Sequence, residues 1–86
     1  MNENENLKEK IERWKLKAEV FLKDDIRAFI IDTHNSYYFC DIIFVGEDCI
    51  HVRHFKGLKK YEKERIFWAD VIRLEEYQPQ ESEVSP

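Results

Sequence analysis

Between residues 53 and 65 the chain sets six basic groups against two acidic ones. Lys56, Lys59, Lys60, Lys63 and Arg65 are interleaved there with Phe55 and Tyr61. Clustered cations gain free energy on a phosphate backbone by releasing its counterions, and an exposed Tyr or Trp stacks a nucleobase for about 1–3 kcal/mol. Glu62 and Glu64 sit among the lysines, so a merely solvated charged loop is the competing reading. The segment is the strongest functional candidate, with Lys56, Lys59, Lys60, Tyr61, Lys63 and Arg65 as its nucleic-acid-binding positions. A second candidate surface is aromatic. Phe67 and Trp68 adjoin on a short strand, which turns one of them outward, and with Tyr77 they offer a base platform or a subunit contact. Core packing of both Phe67 and Trp68 is the alternative.

Other chemistry is poorly supported. Catalysis needs a base beside a nucleophile or paired carboxylates in a cleft, whereas Asp24-Asp25, Glu47-Asp48 and Glu75-Glu76 are adjacent pairs that point apart in a strand or turn. Turn chemistry or protection of a sheet edge explains them better. His34 lies near Ser36 without a third group in its segment, and a non-enzymatic protein is expected. Cys40 and Cys49 form no CxxC pair and have apolar neighbours, so they read as small buried hydrophobes, with a disulfide across a hairpin as the alternative. Neither combines with His34, His51 or His54 at a usual zinc-finger spacing, although His51 and His54 could share a surface with Cys49. No metal, cofactor or small-molecule substrate is inferred.

The elements that must position these groups fit one domain. A chain of 86 residues buries about 60–65% of its unfolded surface and is stable by about 5–10 kcal/mol. With 43% hydrophobic residues, including six Phe, four Tyr and two Trp, it has enough apolar bulk for a packed interior despite 37% charged residues. No apolar stretch approaches the ~20 residues of a membrane span, and Met1 is followed by Asn and Glu rather than a basic region and an apolar core. A cytoplasmic location without membrane contact is expected. The net charge of −4 is unevenly spread, with residues 7–23 and 53–65 basic and residues 24–52 and 66–86 acidic. Nucleic-acid binding would therefore depend on a local patch.

Leu7, Ile11, Trp14, Ala18 and Phe21 recur at helical spacing and predict an amphipathic helix over 7–23, with Asn4 or Asn6 as its N-cap and a lysine-rich outer face. That face suits a phosphate backbone or an anionic membrane, or simply solvent. Residues 26–33 are rich in strand formers. Phe29, Ile30 and Ile31 are consecutive, so both faces of that strand need apolar cover, the core on one side and the helix on the other. Asn35 takes a left-handed turn into a long hairpin, residues 37–52, that reverses at Gly46-Glu47-Asp48. A three-residue turn puts Cys40, Ile42, Phe44, Ile50 and Val52 inside and Asp41 opposite Arg53 outside; a two-residue turn would flip one strand. His54 to Glu64 is a polar connection turning at Gly57. A fourth strand at 65–68, a tight turn at 69–71 and a fifth strand at 72–77, with Ile72 and Leu74 on one face, complete the set. Residues 1–6 and 78–86 read as flexible termini.

This order resembles the Sm-like barrels, the SH3-like family that includes Sm, LSm and Hfq proteins, over residues 7–77. Val45-Gly46-Glu47-Asp48-Cys49-Ile50 is similar to the acidic turn of the first Sm motif, and Ile66-Phe67-Trp68-Ala69-Asp70-Val71-Ile72 to the closing strand-turn-strand. The resemblance implies a mainly β fold, an N-terminal helix followed by a five-stranded antiparallel barrel. His51-Val52 stands where uridine-binding members carry an asparagine, Phe67-Trp68 where they carry Arg-Gly, and Cys40 is the nearest match to the second-strand glycine. The usual RNA pocket is therefore not implied. The expectation is a non-enzymatic Sm-like binding module. Its partner is single-stranded RNA bound through the basic connection or, alternatively, further copies of itself in a homo-oligomer built on the fifth-strand edge with Phe67, Trp68 and Tyr77.

Overall fold

A computed structural model describes residues 7–79. The expected N-cap at Asn4 or Asn6, and residues 80–86 of the expected tail, lie outside them. Helix α1, Leu7–Asp24, precedes five strands: β1 Arg27–Asp32, β2 Tyr37–Val45, β3 Cys49–His54, β4 Lys63–Phe67 and β5 Val71–Glu76. A single 3-10 turn, Trp68–Asp70, links the last two. The helix ends one residue beyond Lys23 because Asp25 takes the left-handed conformation at φ 59°. There the Asp25 N–H donates to the Leu22 carbonyl at 3.4 Å and the Ile26 N–H to the Phe21 carbonyl at 2.9 Å. The pair satisfies carbonyls that the last helical turn would leave open.

All five strands join one antiparallel sheet in the order β4-β3-β2-β1-β5. The expected closure into a barrel is absent, since β4 and β5 stand at opposite ends and share no ladder. The chain between them is tied elsewhere: the Trp68 N–H donates to the Asp48 carbonyl at 2.9 Å, and the Asp70 carbonyl accepts from the Thr33 N–H at 2.8 Å. A flat five-stranded sheet separates its outer strands by about 19 Å. The four-residue step from Phe67 to Val71 reaches only about 14 Å. The sheet must therefore curl, with Trp68–Asp70 spanning its mouth.

Ala28 and Ile30 of β1, Tyr38, Cys40 and Ile42 of β2, Ile50 and Val52 of β3, Ile66 of β4 and Leu74 of β5 are buried in one cluster with Ala18, Phe21 and Trp68. The helix thus packs on the core side of β1. It does not cover the opposite face, where Phe29 lies, so the expectation of core on one side and helix on the other fails. Asp41 does lie opposite Arg53, but not through a three-residue turn: Val45 opposes Ile50 and the Gly46 N–H donates to the Cys49 carbonyl at 2.8 Å, so two residues make the turn and a bulge restores the register. Phe44 departs from its expected inward position because β2 carries a bulge. Ile42 opposes Val52, Phe44 opposes His51, and Ile43 between them has no partner residue. One extra residue inverts the alternation, which leaves Phe44 52% exposed. Ile72 likewise does not share a face with Leu74. The β1–β5 register shifts between Ile31 and Asp32, so Val71 and Leu74 are buried and Ile72 is exposed.

Trp68 leaves β4 for the 3-10 turn, and the fourth strand is Lys63–Phe67 rather than 65–68. The Trp68 indole N–H donates to the Gly46 carbonyl at 3.0 Å. With its backbone bond to Asp48, Trp68 holds both ends of the hairpin turn. Glycine suits position 46, because a Cβ there would crowd the Phe44 ring at 2.9 Å and the Cys49 carbonyl oxygen at 3.1 Å.

Candidate nucleic-acid interface

Antiparallel register aligns the outer-face side chains in rows across the strands, neighbours about 5 Å apart. One row runs through four strands. Arg27 pairs with Asp41, Asp41 with Arg53, and Arg53 with Lys63. Asp41 forms an ion pair with the Arg27 guanidinium at 3.4 Å, which leaves Arg53 and Lys63 without an ion pair among the described residues. One step along, His51 opposes Arg65, whose guanidinium lies 5.1 Å from the Phe67 ring centroid.

The β3–β4 connection delivers two more groups to this row. It folds back through Gly57 at φ 94° and Tyr61 at φ 77°. The Tyr61 N–H donates to the His54 carbonyl at 2.8 Å, while the His54 N–H donates to the Glu62 carbonyl at 2.9 Å. A non-glycine residue held at such a φ costs on the order of 1–3 kcal/mol. Here that conformation carries a ring 71% exposed, with the Lys60 ammonium 5.1 Å from its centroid. Arg27, Arg53, Lys60 and Tyr61, with Asp41, His54 and Phe55, line an open groove of about 320 Å³. Three cations face one carboxylate, which is already paired. The arrangement can hold an anion and stack a flat ring beside it.

Of the six predicted basic-segment positions, Lys60, Tyr61 and Lys63 converge on this row, and Arg65 lies one step away. Lys59 does not point to the groove. Its ammonium donates to Glu64 at 3.0 Å, and His54 Nε2 lies 3.1 Å from the same carboxylate oxygen. Burial alone would raise the Glu64 carboxyl, but the bonds from Lys59 and His54 outweigh it and hold Glu64 below its ordinary range. Lys56 turns to a different neighbourhood, 5.0 Å from the Phe39 centroid and 5.3 Å from that of Tyr77. Among the predicted interface aromatics, Trp68 is 1% exposed and belongs to the core. The 3-10 turn rotates it inward, so it is no surface contact in this fold. Phe67 is 46% exposed, and Tyr77 packs edge-on against Phe39 and Phe55.

Sequence reasoning missed Arg27 as a groove residue and the whole aromatic outer face of β1 and β2. Phe29 lies 5.7 Å from Tyr37 and stacks on Phe39 at 5.3 Å between centroids. The signal was present in the spacing. Tyr37 and Phe39 alternate with buried Tyr38 and Cys40, so aromatic rings occupy the positions where a half-exposed strand usually carries polar ones.

A buried polar pair supports both neighbourhoods from below. The Tyr38 hydroxyl donates to Asp32 at 2.7 Å, and the same carboxylate accepts the His34 and Ser36 N–H groups at 2.9 and 3.0 Å. Burial pushes the Asp32 carboxyl up, yet these bonds more than offset it, and the group sits below its ordinary 3.8. Asn35 takes the predicted left-handed conformation at φ 63°. The Tyr38 ring stacks on His54 at 5.6 Å. Cys40 is fully buried, and burial pushes its thiol up to about 12.

Comparison with known proteins gives no relative: no family model, curated protein or solved structure matches the chain. Among the described residues no group of His, Cys, Asp and Glu is arranged to hold a metal ion, and no helix is long and apolar enough to cross a membrane.

Proposed function

We propose that this chain is a non-enzymatic, Sm-like binding module that takes single-stranded RNA along the basic row of its curled sheet. The observation that carries this reading is the convergence of Arg53, Lys60 and Lys63 beside the exposed, strained ring of Tyr61. Phosphates meet the cations, and a base stacks on Tyr61. The helix followed by five antiparallel strands, with Gly46-Glu47-Asp48 at the hairpin turn, supports the Sm-like part of the reading. Assembly through the outer strands is less well supported, because both carry charged residues of the kind that discourage edge pairing, Lys63, Glu64 and Arg65 on β4 and Arg73, Glu75 and Glu76 on β5.

The test is anisotropy of a labelled single-stranded RNA titrated with the protein at several salt concentrations. Three phosphate contacts predict a slope of about −2 in log affinity against log salt, or about tenfold weaker binding between 50 and 150 mM. The double change Lys60→Glu with Lys63→Glu removes most of the affinity. Absent binding, or binding insensitive to salt, overturns the proposal.

A further inference from the structure

The aromatic neighbourhood around Lys56 has the opposite chemical preference from the basic row. Phe29, Tyr37, Phe39 and Tyr77, with Lys56, Glu75, Glu76 and Gln78, line an open groove of about 380 Å³. Its walls are ring faces and edges, and Glu75, opposite Phe29 on the same face of the sheet, sets a carboxylate at its rim. Arg73 shares that carboxylate at 2.9 Å, while Glu76 opposes Ala28 and belongs to the other face. An aromatic ring presents negative charge on its face, so rings beside a carboxylate attract a cation and repel a phosphate.

The chain itself supplies an occupant. The Lys56 ammonium lies 5.0 Å from the Phe39 ring centroid, and it donates to the Tyr77 hydroxyl at 3.2 Å, at the edge of that ring. The Phe39 distance falls within the roughly 6 Å over which a ring holds a cation. Lys56 stands in for a ligand of its own kind, and the groove extends beyond it to Phe29 and Tyr37.

We infer that this groove is a second binding site, for an alkylammonium side chain, lysine or N-methylated lysine, presented by a partner protein, and that Lys56 is its built-in competitor. Ring faces accept an ammonium whether or not it is methylated, and Glu75, on the same face as Phe29, supplies the opposite charge. The inference is independent of RNA binding at the basic row, because it uses none of that row's cations.

The test uses the full chain, isotope-labelled, titrated with three versions of one short peptide carrying lysine, trimethyl-lysine or norleucine at its centre. The ring protons of Phe29, Tyr37 and Phe39 are followed by NMR. Both ammonium peptides are expected to shift these rings, and norleucine is not. Lys56→Ala removes the competitor and should tighten ammonium binding roughly threefold to tenfold, as expected when a site is free only a minor part of the time. Glu75→Gln should weaken it by roughly twofold to fivefold, the range of an exposed charge pair. Tyr37→Ala, at a 59% exposed position, should weaken it without unfolding the chain. Equal binding of the norleucine peptide would show a merely apolar groove. Unchanged or weaker ammonium binding in Lys56→Ala, checked as folded by its dispersed amide spectrum, would also overturn the inference. So would a phosphate-bearing probe that shifts the same rings in place of the ammonium peptides.

Discussion

The two grooves lie side by side on one sheet, separated by Phe55, whose ring touches Tyr77 on one side and the Arg27 guanidinium on the other. They are built by different means. The basic groove draws its cations from two strands and a loop, so it exists only when register is correct to the residue. The aromatic groove is held by rings packed on rings, and its charge is set by the resident ammonium and Glu75. Salt should therefore weaken ligands of the first much more than ligands of the second, since ring contacts and apolar area are little affected by screening. A single small sheet can in this way present two charge preferences within a few residues of each other.

Three substitutions test how separate the grooves are. The largest effect is expected for Tyr38→Phe, because Tyr38 lies beneath both: its neighbours Tyr37 and Phe39 line one groove, and its ring stacks on His54 of the other. Loss of its hydrogen bond to a charged, buried partner should destabilise the fold by about 1.5–3 kcal/mol in urea at pH 7. Asp32 sits below its ordinary value, so its stabilisation is present above that value and lost as pH falls through the folded one. Without the Tyr38 donor the folded value rises, and acid unfolding should begin at a higher pH. Binding by the two grooves should weaken in parallel; loss confined to one groove would contradict a shared foundation.

Glu64→Gln acts on the basic side alone. It removes the carboxylate that ties Lys59 and His54, and should cost about 1 kcal/mol at neutral pH. Glu64 is also held below its ordinary range, so its contribution fades as pH falls through its folded value. The variant should lose less stability than the parent between pH 5 and pH 3, measured by thermal unfolding. Ammonium-peptide binding should not change, and a change would couple the grooves.

The smallest effect on stability, and the sharpest on function, is expected for Tyr61→Gly. Glycine accepts the positive φ without strain and should add about 0.5–1 kcal/mol of stability. RNA affinity should fall about fivefold, equivalent to losing about 1 kcal/mol of stacking. A variant that is more stable and binds RNA equally well would make Tyr61 a loop residue only.

Local periodicity made most of the elements legible before any coordinates. The stripe from Leu7 to Phe21, the strand run around Ile30 and the Gly46 turn each carry their own signal. The two misplaced residues, Phe44 and Ile72, both follow a register slip, and a slip is decided by the partner strand rather than by the residues beside it. The candidate site was legible in part for the same reason. The lysines of the connection are visible as a cluster, but only cross-strand pairing brings Arg27 and Arg53 beside Lys63, and only loop geometry separates Lys59 and Lys56 from Lys60. A fourth strand continued through Trp68 makes it a surface candidate, and the 3-10 turn buries it instead.

The strand order has a consequence in time as well as in space. β1 is an interior strand of the finished sheet, yet its second partner, β5, is the last strand to be made. Until then the edge carrying Phe29, Ile30 and Ile31 stays unpaired, and α1 packs chiefly against β2 rather than along that edge. Such an edge is open to pairing with another nascent chain. From the end of β1 at Asp32 to the end of β5 at Glu76 the chain adds 44 residues, roughly 2–9 s of synthesis at 5–20 residues per second.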